Sequence, residues 1–363
     1  MKKNIGKVLG LFFLCTILVL SACSGGSTGK DGEKKDSASS KVAAIEIENG
    51  SYVVPEGESV TEDTGFLALN VKIKNMGKDT LSLSSDEINL YDEDDNKISQ
   101  QRFYTTDTNF KELQFESISG GKSTNGYVIF KVDKDKKYEL HYAPISYTDD
   151  KKEDIQLDVN ANNYEDKSSD VEKFAEEFVN EVFLNKKSEE KSEVLSNNLE
   201  EEHAAFNKTF AQALGKDFYY YKPSEAELMT AIDAFEVANG KKAKITYSIK
   251  EFYPDSATVY VKPETIHFDS LDTESIINDF VDQNRDKYSD YEKAEIDAEK
   301  YLLEQLPTKY EAASVSTNDS SSGEGYELHL TKKDDKWTID TTDGSNNYTF
   351  KYLKQAFMGD LYS

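Results

Sequence analysis

Four apolar residues in strict alternation set the terms for the first half of this 363-residue chain. Leu67, Leu69, Val71 and Ile73 alternate with Ala68, Asn70, Lys72 and Lys74. Successive side chains of an extended backbone point to opposite faces, so this pattern is a strand with one buried face. Short runs of the same kind follow: Leu81-Ser82-Leu83, Ile88-Asn89-Leu90-Tyr91, residues 127–132, the alternating Tyr138, Leu140 and Tyr142, and finally Ile155, Leu157 and Val159. Turn-forming groups separate them, at Asn75-Met76-Gly77-Lys78, Asp94-Asp95-Asn96 and Gly120-Gly121-Lys122. Strands this short, divided by turns, specify an all-β sandwich over residues 42–160.

From Ser168 the period changes. Val171, Phe174, Ala175, Phe178 and Val182 fall on one helical face, with Ser168, Ser169 or Asp170 available as a cap. Leu195, Leu199, Phe206, Phe210 and Leu214 repeat the pattern, and Gly215 offers a stop. Pro223-Ser224 opens a third helix carrying Leu228, Ile232 and Phe235 as far as Asn239-Gly240. Strand-like runs at 243–252 and 257–268 flank a turn at Tyr253-Pro254-Asp255-Ser256. A helical stretch over 273–306, broken near Ser289, precedes strands at 310–315, 326–331 and 336–340 and a last helix at 346–358. Helices first, then a sheet with further helices inserted, specify an α+β domain over residues 168–363.

The opening forty residues are of another kind. Lys2, Lys3 and Lys7 precede an apolar run over residues 8–20, which is shorter than the ~20 residues a membrane-spanning helix needs. A basic start, a short apolar stretch and small residues at its end make a secretory signal. Leu20-Ser21-Ala22-Cys23 resembles the lipobox of Gram-positive bacterial lipoproteins. That resemblance implies a diacylglyceryl thioether on Cys23 and cleavage after Ala22. Residues 1–22 would be the signal peptide and residues 23–41, rich in Ser, Gly, Lys and Asp, a lipidated flexible tether. The folded part is then expected on the extracellular face of the cell membrane, where two acyl chains suffice for stable anchoring. Cys15, the other cysteine, would leave with the signal. The mature chain is therefore expected to have no disulfide, thiolate nucleophile or cysteine-based metal site.

Acidic residues outnumber basic ones by 69 to 43, for a formal net charge of −26. Loss of three signal-peptide lysines makes it −29. Nucleic acid and anionic lipid both demand basic surface, so neither is an expected partner of the folded part.

Both halves carry family resemblances. Gly65-Phe66-Leu67-Ala68-Leu69-Asn70-Val71-Lys72-Ile73-Lys74-Asn75 resembles a strand of an immunoglobulin-like domain of unknown function common in exported Gram-positive lipoproteins. Ile88-Asn89-Leu90-Tyr91-Asp92 with Asn96-Lys97 is similar to its hairpin, with Asn96 where that family usually has glycine. The Gly120-Gly121-Lys122 turn before Tyr127 matches the approach to its next strand. In the second half, Lys332-Lys333-Asp334-Asp335-Lys336-Trp337-Thr338-Ile339-Asp340 resembles the final hairpin of exported α+β domains of cystatin-like or nuclear-transport-factor-like type. That half as a whole resembles the domain of unknown function that accompanies the first in lipoproteins. The resemblances imply a binding or accessory module and bring no catalytic residues.

Candidate chemistry is sparse. His141, His203, His267 and His329 stand far apart in sequence and form no HExxH or HxH motif, so no metal site is expected from them. His267 and His329 both fall on strand-like runs and could approach one another. Asp92, Asp94 and Asn96 are spaced like the start of a calcium loop, but Lys97 replaces its glycine and Phe103 its bidentate glutamate. A solvated hairpin tip is the reading, and the acidic stretch 286–304 reads as a solvated helix face. No phosphate-loop pattern follows a strand. Phe218-Tyr219-Tyr220-Tyr221 before Pro223 is the one aromatic cluster; Tyr219, Tyr220 and Tyr221 are candidates for stacking on sugar or peptide. The plainer reading is a loop stapling two helices to the sheet. The expectation is a non-enzymatic envelope module, without cofactor, that binds a protein, a peptide or a wall component. The alternatives are a carboxylate-based wall enzyme or its accessory subunit, a passive spacer, and a precursor whose signal fragment Thr16-Ile17-Leu18-Val19-Leu20-Ser21-Ala22 serves as a pheromone.

Overall fold

The computed structural model describes residues 36–105, 107, 109–144, 154–188, 192–317, 323–342, 344–345 and 347–362. The first half is the expected immunoglobulin-like sandwich. Its strands are β1 Ser37–Ser39, β2 Ala43–Val53, β3 Thr64–Asn75, β4 Leu81–Leu83, β5 Ile88–Tyr91, β6 Lys97–Ser99, β7 Glu116–Ile118, β8 Ser123–Asp133, β9 Lys137–Tyr142 and β10 Ile155–Asn160. One sheet has the order β1-β2-β3-β8 and the other β10-β9-β5-β6, with β4 and β7 as a separate pair. Leu67, Leu69, Val71 and Ile73 of β3 are fully buried and share one core with Leu90, Leu140 and Leu157 of the facing sheet. Asn75 ends β3 by bonding three ways: its Nδ2 donates to the carbonyls of Asp79 and Ile118, each at 2.7 Å, and its Oδ1 accepts from the Gly77 N–H at 2.9 Å. The stretch expected as tether is partly folded, because Ser37–Ser39 pair antiparallel with β2 across a turn held by the Ser40 hydroxyl.

The second half is α+β. Its helices are α1 Ser168–Phe183, α2 Leu199–Lys216, α3 Glu225–Lys242, α4 Thr273–Asn284, α5 Tyr291–Ala312 and α6 Tyr348–Phe357. Its strands are β11 Lys244–Tyr253, β12 Ser256–Ile266, β13 Val315–Thr317, β14 Tyr326–Lys333 and β15 Lys336–Ile339. They form an antiparallel sheet of order β11-β12-β14-β15, with β13 added to β12. The β14–β15 hairpin turns on Asp334 and Asp335, both at positive φ, as the tightest hairpins require. Aromatic side chains fill the core: Phe183 stacks on Phe357 at 4.8 Å, and Phe235 stacks on Phe268 at 5.3 Å.

Three local expectations are corrected. Lys167 holds the cap position of α1 without a side-chain cap bond, and Asp166 Oδ1, just before it, accepts from both the backbone and the hydroxyl of Ser168. Leu195 precedes its helix: residues 194–197 run beside β15, with Trp337 bonded to the carbonyl of Val194 and Ile339 to the amide of Asn197. Residues 310–312 are helix, not strand. Tyr310 sits with Leu303 and Leu306 on the buried stripe of α5, and Lys242 Nζ donates to the carbonyls of Tyr310, Glu311 and Ala313 at the end of that helix.

The two halves are locked together. Val54 and Phe252 exchange backbone hydrogen bonds of 2.8 and 2.9 Å, which carries the tip of the β11–β12 hairpin onto the sandwich. Tyr253, in the expected turn, is fully buried there with Val53, Phe66, Ala68, Phe110 and Ile129. The outward face of β3 is thus covered where Phe66 and Ala68 stand. Lys250 bridges Glu56 and Glu327 at 3.4 and 2.9 Å, and the Ser256 hydroxyl donates to Asp107 at 2.8 Å.

Candidate functional site

The α2–α3 hairpin carries the site. Asn198 caps α2, and a capping box of Ser224 and Glu227 starts α3. Gly215 lies against Leu228 at one end, and His203 lies 3.7 Å from Glu236 at the other, so the helices run antiparallel. Residues 217–224 link them, and the tyrosine cluster is on this link.

The link is fastened by one carboxylate. Glu299 of α5, itself buried, accepts the backbone N–H groups of Tyr219, Tyr220 and Tyr221 at 3.0, 2.9 and 2.6 Å. The cluster is thereby sorted. Phe218 is buried in the helical core, and Tyr221 packs against that core while its hydroxyl donates to Glu227 at 2.5 Å. Hydrogen bonds from Ser224 and Tyr221 pull the Glu227 carboxyl down to about 2. Tyr219 is 78 % exposed and forms a T-shaped pair with Tyr220 at 4.9 Å. Tyr220 in turn meets Tyr291 of α5 at 6.4 Å. The staple therefore runs to α5 instead of the sheet; Tyr219 is the exposed member of the cluster, and Tyr220 and Tyr221 are half-buried.

Between α2 and α3 lies a groove of about 1050 Å³, at the upper end of the volumes that hold small ligands. Ala211, Phe218, Leu228 and Met229 make its apolar lining. Charge of both signs lines each end: Lys216, Lys222 and Glu225 at the link, and Lys208 and Asp233 toward His203 and Asn207. Lys222 Nζ donates to the Phe218 carbonyl at 2.8 Å.

The end at His203 contains buried polar atoms without hydrogen-bond partners among the described residues. His203 Nδ1 bonds the Val182 carbonyl at 2.9 Å, and Nε2 meets the Asn207 amide nitrogen at 3.1 Å. Asn207 is 4 % exposed, and its Oδ1 has no hydrogen-bond partner among the described residues. Glu236 is 1 % exposed, and neither of its oxygens has one. Burial first, and the charge of Asp233 second, push the Glu236 carboxyl up to about 8; the amides of Asn185 and Asn207 oppose the shift without closing a well-formed bond. Neither Glu236 nor Glu299 stood out in the sequence, although each breaks an apolar stripe: Glu236 follows Leu228, Ile232 and Phe235 on the buried face of α3, and Glu299 precedes Leu303 and Leu306 on that of α5.

The remaining sequence candidates lie elsewhere. Ala22 and Cys23 are outside the described residues. His329 stands opposite Thr258 in the β12–β14 register, and His267 lies nine residues further along, roughly 30 Å away at strand spacing, so the two do not approach. His267 instead holds Asp360 at 2.7 Å. His141 bonds Asp154 at 2.8 Å and lies against Tyr91. Asp92 uses both oxygens within its own turn, accepting from Asp94 and twice from Asn96, and those bonds lower its pKa. Among the described residues no group of three or more His, Cys, Asp or Glu side chains is placed to hold a metal ion, and no helix is long and apolar enough to cross a membrane.

Known proteins resemble both halves. Residues 32–153 match a family described as domain of unknown function DUF4352, and residues 161–358 match one described as domain of unknown function DUF5105. An uncharacterized lipoprotein of Bacillus subtilis (strain 168), YcdA, is 28 % identical over 97 % of this chain and 98 % of its own. The crystal structure of YcdA superposes with a TM-score of 0.67 at 25 % identity, covering 90 % of this chain and 99 % of that one. With more than half its length matched by the second of these families, the chain belongs to the domain of unknown function DUF5105 family.

Proposed function

We propose that this chain is a lipid-anchored extracellular binding protein of the cell envelope, without enzymatic activity of its own. The lipobox-like Leu20-Ser21-Ala22-Cys23 and the similarity to a lipoprotein along the whole chain support the anchor. The binding role rests on the α2–α3 groove, a preformed concavity with an apolar lining and charged residues of both signs at its rim. An enzyme reading would draw on Glu236, whose raised pKa is of the kind catalytic acids show. Its carboxyl is enclosed, however, and is not presented to a substrate.

Two experiments test the proposal. Cys23→Ala should move the chain from the membrane to the soluble fraction, and retention of the variant in the membrane would remove the anchor. Ala211→Trp should fill the groove. Envelope fractions that raise the unfolding temperature of the native chain should then leave this variant unmoved, since a ligand at a hundredfold its Kd adds about 2.7 kcal/mol to the folded state. Equal shifts for both proteins would place binding elsewhere, and no shift for either would sink the binding role.

A further inference from the structure

We infer that Tyr219, Tyr220 and Tyr291 form a platform on which the sugar rings of an uncharged glycan stack. Two of these residues stand on the link between α2 and α3 and the third opens α5, so the site is separate from the groove and does not rest on it.

The rings are close together and two of them face water. Tyr219 is 78 % exposed and Tyr291 is 72 % exposed. Tyr220 neighbours both, nearly perpendicular to each, with its centroid 4.9 Å from that of Tyr219 and 6.4 Å from that of Tyr291. The Tyr291 hydroxyl bonds the Glu295 carboxylate and meets the Tyr220 hydroxyl. The Tyr219 hydroxyl makes no hydrogen bond among the described residues. Adjoining aromatic side chains left in water mark an interaction surface more often than single ones do.

The platform is fixed from below. Glu299 is a buried acid, and both of its oxygens accept backbone N–H groups of the link beneath these rings. Taking a carboxylate out of water is costly, and here it holds in place a stretch of chain whose side chains point outward. A link fixed before a ligand arrives loses little entropy on binding. Tyrosine adds to this, since it offers a large rigid face on only two rotatable bonds.

The class of ligand follows from what the platform offers and lacks. Its backbone donors are spent: the N–H groups of Tyr219, Tyr220 and Tyr221 go to Glu299, that of Ser224 goes to Glu227, and Pro223 has none. An extended peptide finds little main chain to pair with there. A cation meets Lys222, whose Nζ sits on the Phe218 carbonyl at 2.8 Å, while the carboxylates of Glu295 and Glu299 are engaged by the Tyr291 hydroxyl and the link. An anion is opposed by the net charge of −26. An alkyl chain covers the rings but leaves the tyrosine hydroxyls unmatched. A pyranose ring suits both parts of the surface. Its C–H face packs on the electron-rich face of a tyrosine, and its hydroxyls bond the tyrosine hydroxyls and Glu295.

The test is equilibrium dialysis of the full chain against labelled tetramers of N-acetylglucosamine and of β-linked glucose, with tetralysine as the cationic comparison. At least one sugar tetramer should bind saturably. Tyr219→Ala and Tyr291→Ala should each weaken it about tenfold, equivalent to about 1.4 kcal/mol. Tyr219→Phe keeps the ring and should stay within about threefold of the native chain. Thermal unfolding should be unchanged in all three variants, because both positions are exposed. Ala211→Trp should bind the sugar as the native chain does. Failure of both tetramers to saturate, or undiminished binding by the alanine variants, would overturn the inference. So would binding lost in Ala211→Trp and kept in the tyrosine variants, which would move the sugar to the groove. Binding of tetralysine alone, abolished by Tyr219→Ala, would overturn it in favour of a cation site. None of these failures touches the groove, which stands or falls on its own comparison with envelope fractions.

Discussion

Replacing Glu236 by glutamine should make this protein more stable, and increasingly so as pH rises. A glutamate carboxyl titrates near 4.5 in the unfolded chain, whereas burial raises this one to about 8 in the fold. Between those values the folded chain holds one proton more than the unfolded chain. Its stability must then fall with pH by about 1.4 kcal/mol per unit, or about 2–3 kcal/mol from pH 5 to pH 7. The contribution is fully present below 4.5 and lost as pH climbs through about 8. Glu236→Gln keeps the shape of the protonated acid, has no proton to lose, and can donate from its amide to the unmatched Asn207 Oδ1. The charged and titratable groups nearest Glu236 are Asp233 on its own helix and His203 on α2. Both remain in the variant, so their contributions cancel to first order in the comparison. Urea unfolding of native chain and variant should therefore agree within about 1 kcal/mol at pH 5 and differ by about 2–3 kcal/mol in favour of glutamine at pH 7. A difference independent of pH would refute the reasoning, since it would mean that Glu236 titrates alike in folded and unfolded chains.

Other expectations follow from the contacts that position the site. Glu299→Gln keeps one acceptor oxygen where two served three N–H groups; it should cost about 2–3 kcal/mol in chemical denaturation and speed amide exchange at Tyr219 to Tyr221, and unchanged exchange there would contradict the fastening role. Tyr253→Ala should cost about 3–5 kcal/mol and split one calorimetric transition into two, as the hairpin tip loses its seat on the sandwich; one unbroken transition would show that the Val54–Phe252 bonds and the Lys250 bridge suffice. His267 bonds Asp360 through Nδ1 and the Ser316 carbonyl through Nε2, which favours the charged ring and raises its pKa above 6.5. That stabilisation is present below pH 6.5 and lost as pH rises through the folded value. An NMR titration should place the midpoint above 6.5 and bring it back down in Asp360→Asn; a native midpoint at or below 6.5 would be the contrary result.

How much of this was legible beforehand differs from residue to residue. The alternation through Leu67 and Ile73 located a strand and its inner face, because period-2 burial is written directly in residue order. The same alternation was silent on Phe66 and Ala68, whose cover comes from Tyr253, nearly two hundred residues away. A turn composition at 253–256 reports backbone shape and not what the turn inserts into. Tyr310 was misread because an aromatic followed by small and β-branched residues is compatible with either period, and the earlier Leu303 and Leu306 decide for helix. The tyrosine run was visible as a cluster, but its division into buried and outward members depends on Glu299, seventy-eight residues beyond Tyr221. Glu236 was hidden by numbers: with 69 acidic residues, no pair stands out by composition. What separates it is position on an apolar stripe, and an acid at such a position is a signal worth weighing.

The lock between the halves bears on how the proposed anchor and the groove work together. Because β1 begins at Ser37, the chain available between Cys23 and that strand is thirteen residues, not the longer stretch its composition suggests. Fully extended, that length spans at most about 50 Å. If Cys23 carries the lipid, the sandwich therefore stays within that distance of the membrane surface. The α+β domain does not swing on a second leash, since the backbone bonds of Val54 with Phe252 and the burial of Tyr253 fix it to the sandwich. Two independently tethered domains would search separate volumes, and a ligand could be met at any orientation. One locked body presents its groove in a fixed relation to the sandwich, so a ligand held between α2 and α3 would meet a single arrangement of both halves.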